Sequence, residues 1–138
     1  MKALMIINSL EIGGAETSLE TLSCTLQNEM QVEVISLSGS GYLAQRLRSK
    51  GILVHQLDLR ANLSLLKQCF ELFRLIRAIK PDLVHTWMYH SNLVGGVIAK
   101  LAGIKKIIWS VHAFNLEKGM LKPSTRALIK FLAFFSYF

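Results

Sequence analysis

Short apolar runs alternate with longer amphipathic segments along this chain of 138 residues. A continuous apolar run of about five residues is typical of a strand buried on both faces of a parallel sheet. Such runs predict five strands, at residues 3–7, 32–37, 52–57, 83–87 and 107–111. Strands that alternate with helices indicate repeated βαβ units and therefore a parallel sheet.

The segments between these strands have the period of helices, and residues 63–79 are the clearest case. Their polar stripe comprises Lys67, Glu71, Arg74 and Arg77, and the predicted apolar face comprises Leu66, Cys69, Phe73 and Ile76. Further helices are predicted at 13–30, 41–50, 91–102 and 127–138. Gly51 and Gly103, each followed by isoleucine, are expected to end helices in Schellman-type turns.

Two adjacent glycines, Gly95 and Gly96, lie inside a predicted helix. Each costs about 1 kcal/mol relative to alanine there, so we expect that helix to pack closely on the sheet. Right-handed crossovers leave few arrangements of five parallel strands. The simplest is a doubly wound, Rossmann-like α/β sheet of order 3-2-1-4-5, with a switch point between the first and fourth strands.

Ligands of such sheets bind outside the carboxyl ends of the strands, at the switch point. The loops there are predicted at residues 8–14, 88–92 and 112–115. Gly13 and Gly14 open a helix, where free backbone N–H groups and the helix dipole favour phosphate. The alternative is a plain tight turn that needs a positive φ. Glu16, in the first helical turn, is explained by the same dipole.

Histidines and aromatic residues supply the remaining candidate chemistry. His112 follows the fifth strand directly, where it would donate to a sugar hydroxyl or a developing charge, or be a core histidine bonded to backbone. Tyr89 and His90 open a helix. They either contact the molecule that accepts the sugar or form an exposed pair at the start of the helix. The mid-strand residues His85 and His55 are expected to be hydrogen-bonded, and Trp87 is expected to pack beneath the cleft.

Composition and missing motifs exclude several classes of protein. Hydrophobic residues make up 51% and charged residues 18%, as in a folded globular domain. The chain lacks G-x-G-x-x-G after the first strand, the P-loop pattern and the G-x-S-x-G elbow. These absences disfavour a dinucleotide dehydrogenase, a P-loop NTPase and an α/β-hydrolase. Cys24 and Cys69 lack metal-ligand spacing and are expected to be buried free thiols in a reducing compartment.

A net charge of +7 favours anionic partners, whether nucleic acid, anionic lipid or phosphorylated ligands, and does not choose among them. The alternative is that the charge indicates no partner, because this chain is the basic half of a larger protein with acidic surface elsewhere. The first apolar run is too short for a signal peptide, so we expect a cytoplasmic protein. The aromatic segment 127–138 ends without a cap, which leads us to expect that the natural chain continues.

Three segments together resemble glycosyltransferase family 4, whose members have the two-domain GT-B architecture. They are M-K-A-L-M-I-I-N-S-L-E-I-G-G-A-E-T from residue 1, I-K-P-D-L-V-H-T-W-M-Y-H-S-N-L-V-G from residue 79 and A-G-I-K-K-I-I-W-S-V-H from residue 102. The resemblance implies that residues 1–138 are the N-terminal, acceptor-side domain. It also implies retaining transfer from a nucleotide-diphosphate sugar without a metal or other cofactor.

The same resemblance implies roles for single residues. His112 matches the cleft histidine that contacts the donor sugar, and Gly13 and Gly14 match the loop near the diphosphate. Tyr89, His90 and Asn92 fall in the acceptor-side segment. The C-terminal domain, which holds most of the nucleotide and a paired-glutamate motif, is missing from these residues, so we expect this chain alone to be inactive.

The expected partners are a nucleotide-sugar donor, a glycan or lipid-linked acceptor and the missing domain, with no nucleic acid. The predicted last helix carries Lys122, Arg126 and Lys130 beside an apolar face. It would pack on the missing domain or lie on the inner face of the cell membrane. A non-catalytic module that binds a sugar phosphate and a sugar-nucleotide epimerase of similar architecture are the alternative functions.

Overall fold

The computed structural model describes residues 1–39, 41–57 and 65–111. The strands there are β1 (Lys2–Ile7), β2 (Gln31–Ser36), β3 (Leu53–Gln56), β4 (Leu83–Trp87) and β5 (Ile107–Ser110). All neighbouring pairs are parallel, and the order is β3-β2-β1-β4-β5. The predicted doubly wound sheet and its strand order are therefore confirmed, and each strand lies within one or two residues of its predicted bounds.

The sheet carries helices on both faces. They are α1 (Gly14–Leu26), α2 (Tyr42–Ser49), α3 (Leu65–Ile79) and α4 (Tyr89–Leu101). Alternation along β1 directs Met5 and Ile7 into a core with α1 and α2, and Leu4 and Ile6 into a core with α3 and α4. All four of these side chains are buried, which explains why β1 reads as an unbroken apolar run.

The predictions for the glycines at helix ends and for the two glycines inside α4 are confirmed. Gly51 and Gly103 have φ values of 83° and 89°, and both helix ends close with the six-to-one hydrogen bond of a Schellman turn. Gly95 and Gly96 are buried where α4 approaches the sheet. A β-carbon on Gly95 would lie 3.0 Å from Ile6 Cγ2, and one on Gly96 would lie 2.7 Å from Trp109 Nε1.

Three corrections to the sequence predictions concern the end of helix α1, the residue Leu66 and the two thiols. Helix α1 ends at Leu26, because the Leu26 carbonyl accepts the backbone N–H groups of both Glu29 and Met30 and turns the chain toward β2. Leu66 was assigned to the buried face of α3 but is exposed, because it lies about 120° around the helix from the buried Leu72.

The third correction concerns the thiols. Cys24 and Cys69 are free, as expected, but half-buried, because each lies at the border of one of the two cores. The residue His112 and the predicted last helix, 127–138, lie outside the described residues. Among the four described helices, none combines the length and apolarity needed to cross a lipid bilayer.

Candidate functional site

The carboxyl ends of four strands form one row at an edge of the sheet. Ile7 of β1 pairs with Ser36 of β2 and with Trp87 of β4, and Trp87 pairs with Ser110 of β5. The loops after β1 and β4 therefore leave the sheet side by side, as predicted for a switch point. Val111 follows β5 at this same edge and directly precedes His112.

The turn at Gly13 does not need a positive φ, so the tight-turn interpretation is wrong. Gly13 is the N-cap of α1 with extended backbone, at φ −164° and ψ 174°, and Gly14 is the first helical residue. A β-carbon on Gly13 would meet the carboxylate of Glu16, which is the far end of a flexible side chain and can move aside, so space does not demand glycine here. Glu16 thus lies against the start of its own helix, where the dipole favours negative charge.

The loop that carries these glycines is held by the next helix. A β-carbon on Gly41, the N-cap of α2, would fall on the backbone of Leu10 and Glu11. The Leu43 N–H donates to the Leu10 carbonyl at 3.0 Å, and Ser38 donates to the Asn8 carbonyl from both its N–H and its hydroxyl. Nothing in the sequence indicated what this segment touches.

The link from β4 to α4 contains a strained residue that sequence reasoning missed. Met88 has φ 74° and ψ 158°, a region that is essentially restricted to glycine. Its N–H donates to the Ser110 carbonyl at 3.0 Å, and its own carbonyl accepts the Asn92 N–H at 2.9 Å. This conformation turns the chain straight from strand into helix, so α4 begins at Tyr89 and not at Ser91 as predicted.

Polar groups in the first turn of α4 are buried and find no partner within the described residues. Among the described residues, the Tyr89 hydroxyl, Ser91 Oγ and the Asn92 amide oxygen accept and donate no hydrogen bond. The Asn92 amide nitrogen does bond, donating to the Ser110 carbonyl at 3.2 Å. His90 is exposed. A buried unpaired polar group costs about 1–3 kcal/mol, so a ligand that pairs with these atoms would recover that energy.

The remaining residues around the edge behave as expected. His85 Nε2 lies 2.7 Å from the Ser110 hydroxyl, and its ring lies 4.7 Å from that of Trp87. Trp87 is buried in the core beneath the loops. His55 bonds to Glu33 at 2.8 Å. In the parts of the chain that the structure describes, no three His, Cys, Asp or Glu side chains are grouped to hold a metal ion.

An open groove follows α1 away from Gly13. Its polar lining consists largely of the hydroxyls of Thr17, Ser18, Thr21 and Thr25. Each hydroxyl donates to the backbone carbonyl four residues earlier, at 2.7 to 3.0 Å. These donors are therefore already engaged, and the groove has less to offer a ligand than the first turn of α4.

Solved structures share this architecture. HepE of Anabaena, solved in complex with UDP, superimposes with a TM-score of 0.75 at 19% identity, over 96% of this chain and 35% of that one. A UDP-GlcNAc 2-epimerase of Methanocaldococcus jannaschii gives a TM-score of 0.64 at 13% identity, over 96% of this chain and 37% of that one. The fold is therefore a Rossmann-like domain of the kind that forms one half of a GT-B enzyme.

The sequence identifies the family within this structural class. The family model of Glycosyltransferase Family 4 matches residues 12–137, and the chain belongs to that family. A curated relative, the UDP-Gal:alpha-D-GlcNAc-diphosphoundecaprenol alpha-1,3-galactosyltransferase of Escherichia coli, is 32% identical over 78 residues. That match covers 54% of this chain and 20% of the relative, so the chain spans a small part of the proteins it resembles.

Proposed function

We propose that the chain is the N-terminal, acceptor-side half of a retaining glycosyltransferase that uses a nucleotide-diphosphate sugar. The match to glycosyltransferase family 4 over residues 12–137 carries this proposal. In the complete protein, a second Rossmann-like domain supplies most of the nucleotide site and the paired-glutamate motif. The edge that holds the loops after β1 and β4 forms this domain's wall of the cleft.

The start of α1 is proposed to face the donor diphosphate. Backbone N–H groups at a helix N-terminus attract phosphate oxygens, and the Glu16 carboxylate lies close to Gly13 at this helix start. Carboxylate and phosphate oxygens are both acceptors, so Glu16 would move aside when the diphosphate binds. His112, two residues after Ser110, contacts the donor sugar in this proposal.

The first turn of α4 is proposed to contact the acceptor. The Tyr89 hydroxyl and the Asn92 amide oxygen are buried without partners in the described structure, and a sugar supplies hydroxyl groups that pair with both. His90 is exposed beside them and is available to a ligand. Asn92 uses only its amide nitrogen within the described fold, and its buried oxygen would pair with a sugar only if this turn opens.

The acceptor is proposed to be a sugar carried on a polyprenyl diphosphate, at the cytoplasmic face of the membrane. The name of the galactosyltransferase relative, which acts on a diphosphoundecaprenol-linked sugar, supports this class of acceptor. Co-sedimentation of the full-length protein with vesicles, with and without anionic lipid, tests the membrane part. Equal binding to both kinds of vesicle contradicts an electrostatic contribution from Lys122, Arg126 and Lys130.

The decisive experiment measures sugar transfer by the full-length natural protein. Candidate UDP-sugars and a short-chain polyprenyl diphosphate sugar are supplied, and the anomeric configuration of the product is read by NMR. We expect donor-dependent transfer with retention, and no turnover by residues 1–138 alone. Turnover by the isolated 138-residue chain contradicts the need for a second domain.

Substitution of His112 tests its assigned role. We expect His112→Ala to lower kcat more than it raises the donor KM, because a contact to the reacting sugar matters most in the transition state. His55→Ala is the matched control, since it removes a histidine that is bonded to Glu33 within the sheet. An unchanged kcat in His112→Ala removes this residue from the mechanism.

The same assay separates the alternative functions. The fold is shared with a UDP-GlcNAc 2-epimerase, so the fold alone does not select transfer. An epimerase would convert the nucleotide sugar without any acceptor, and NMR of the donor pool detects that product. A binding module would bind the nucleotide sugar in calorimetry and convert none of it.

A further inference from the structure

Helix α3 exposes large apolar side chains on the side that faces away from the sheet. Leu66 is 85% exposed, and Phe70, one turn later, is 57% exposed. Phe70 lies about 160° around the helix from the fully buried Leu72, so it faces away from the core. Its ring stacks on that of Phe73, with the ring centroids 6.4 Å apart. Exposed apolar groups that lie together in this way mark a surface that binds something apolar.

Basic side chains flank Phe70 along the same helix. Lys67 lies three residues before it and Arg74 four residues after it, the two spacings that make neighbours on a helix surface. Arg77 follows in the next turn, and Glu71 is the one acid of α3. Lys67, Arg74 and Arg77 are all exposed, and none of them forms an ion pair within residues 1–39, 41–57 and 65–111. Phe70 is therefore an apolar group set among unpaired cations.

Helix α4 continues this surface beside α3. Val97 is 37% exposed and lies about 160° around α4 from Gly95, which faces the sheet. Leu101, one turn after Val97, is 72% exposed. The two helices pack side by side over the same core. The exposed side chains of Leu66, Phe70, Val97 and Leu101, together with the three cations of α3, are called the outer α3/α4 surface below.

The helices on the other side of the sheet pair their cations. Arg46 and Lys50 contact the buried Glu20 carboxylate at 3.2 and 2.9 Å. Arg48 donates to the Val54 carbonyl at 3.0 Å. All three cations in and directly after α2 thus have partners in the fold. Among the four described helices, the unpaired positive charge therefore lies on the side of the sheet that carries the outer α3/α4 surface.

We propose that the outer α3/α4 surface lies on an anionic lipid membrane. A lipid interface supplies both of the groups that this surface lacks, an apolar layer for Leu66 and Phe70 and anionic headgroups for Lys67 and Arg74. A nucleic acid duplex would pair with the cations through its phosphates but leave the apolar side chains in water. The net charge of +7 also favours an anionic surface.

This inference rests on the proposed function, because it assigns the side of the domain that meets the membrane carrying the acceptor. Helix α4 starts at the carboxyl edge of the sheet, directly after β4, and α3 runs in the same sense between β3 and β4. Leu66 and Phe70 fall in the first half of α3, so they lie toward the same edge as Tyr89. A membrane at this surface would present a lipid-linked sugar on the side of the proposed acceptor contacts.

The test measures co-sedimentation of the full-length protein with vesicles, in the absence of any sugar substrate. The vesicles are phosphatidylcholine alone or phosphatidylcholine mixed with anionic phosphatidylglycerol. The double variant Lys67→Gln/Arg74→Gln should weaken binding to the anionic vesicles about 10- to 30-fold, because each basic group near an anionic surface contributes about fivefold. Phe70→Ser should weaken it about threefold to tenfold, because the half-exposed ring loses its apolar contact.

High salt separates the charge contribution from the apolar one. At about 1 M salt the Debye length falls to about 3 Å, so the Lys67→Gln/Arg74→Gln protein should then bind as the unsubstituted protein does. Phe70→Ser should keep its deficit, since burial of an apolar ring is not screened by salt. A charge variant whose deficit persists at high salt contradicts the electrostatic part of the proposal.

The other side of the sheet supplies matched controls. Tyr42, in α2, is 56% exposed, so Tyr42→Ser removes an aromatic ring of nearly the same exposure as Phe70. Arg48→Gln/Lys50→Gln removes two positive charges and leaves Arg46 paired with Glu20. Both controls should bind the anionic vesicles within about twofold of the unsubstituted protein, because their side chains face away from the lipid.

Unchanged binding in both α3 variants, or losses equal to those of the controls, overturns the proposal. A lower Tm of Phe70→Ser with unchanged vesicle binding also overturns it, and indicates that a second protein domain covers Phe70 instead. Transfer to a short-chain, water-soluble acceptor without vesicles tests the proposed function separately. Both α3 variants should keep their kcat in that assay within about twofold, and a larger loss contradicts a role in membrane binding alone. Absence of transfer by the unsubstituted protein overturns the proposed function and leaves the vesicle result standing.

Discussion

Replacing Gly95 by alanine separates two effects that act on the same residue in opposite directions. Gly95 lies in the interior of α4, where glycine is a poor helix former. It is also buried against the sheet, and an added β-carbon would lie 3.0 Å from Ile6 Cγ2 and 3.3 Å from Thr86 Cγ2. Helix propensity predicts a more stable protein, and packing predicts a less stable one.

The packing effect is expected to be the larger. Alanine gains about 1 kcal/mol over glycine within a helix. Ile6 and Thr86 are fully buried on the two central strands, and β-branched side chains have little freedom to turn away. Forcing a methyl group into such a core costs about 1–3 kcal/mol, which leaves a net loss of about 1 kcal/mol in the free energy of unfolding.

Urea denaturation followed by tryptophan fluorescence measures this loss, because Trp87 lies in the strand that carries Thr86 and Trp109 lies in the neighbouring strand β5. Gly14→Ala is the matched control, since it makes the same chemical change where nothing lies within 4 Å of the new β-carbon. We expect Gly14→Ala to be neutral or stabilising by up to about 0.5 kcal/mol. A Gly95→Ala protein as stable as the unsubstituted one refutes the packing argument.

Two further predictions concern stability. Gly41→Ala should lower the free energy of unfolding by about 2 kcal/mol, because its β-carbon would fall on the backbone of Leu10; unaltered urea denaturation contradicts that contact. Burial raises the pKa of Glu33, but hydrogen bonds from His55 and Lys2 outweigh it and hold the pKa below the usual 4.5. The stability from Glu33 is therefore present above pH 4.5 and lost as the pH falls through the lower folded value, so a Glu33→Gln protein with an unchanged acid limb would contradict this.

The strand order and the buried helix could be predicted because local patterns determine them. Apolar runs such as that of β1 identify strands buried on both faces, and right-handed crossovers then leave few arrangements. Gly95 and Gly96 indicated close packing because their cost in a helix has to be offset by a contact. Each of these inferences uses only neighbouring residues and a general rule of chain geometry.

The details of the site could not be predicted, since they depend on contacts between distant segments. Nothing in a methionine at position 88 signals a positive φ, which is imposed by bonds to Ser110 and Asn92. The tight-turn interpretation of Gly13 was wrong because its backbone is extended, which a pair of glycines in the sequence does not reveal. Leu66 was misassigned because the period of the apolar positions does not fix where the buried face of α3 ends, and Leu66 lies about 120° around the helix from the buried Leu72.

The carboxyl edge of the sheet combines two kinds of local cost, backbone strain and unpaired buried polar atoms. Away from it, the buried Glu33 pairs with Lys2 and His55, and the buried Glu20 pairs with Arg46 and Lys50. At the carboxyl edge, the first turn of α4 instead holds a strained backbone and buried polar atoms that find no partner in the described part of the chain. A sequence that satisfies its charges elsewhere retains such costs where a ligand offsets them, which is the physical reason to place the acceptor contacts at this turn.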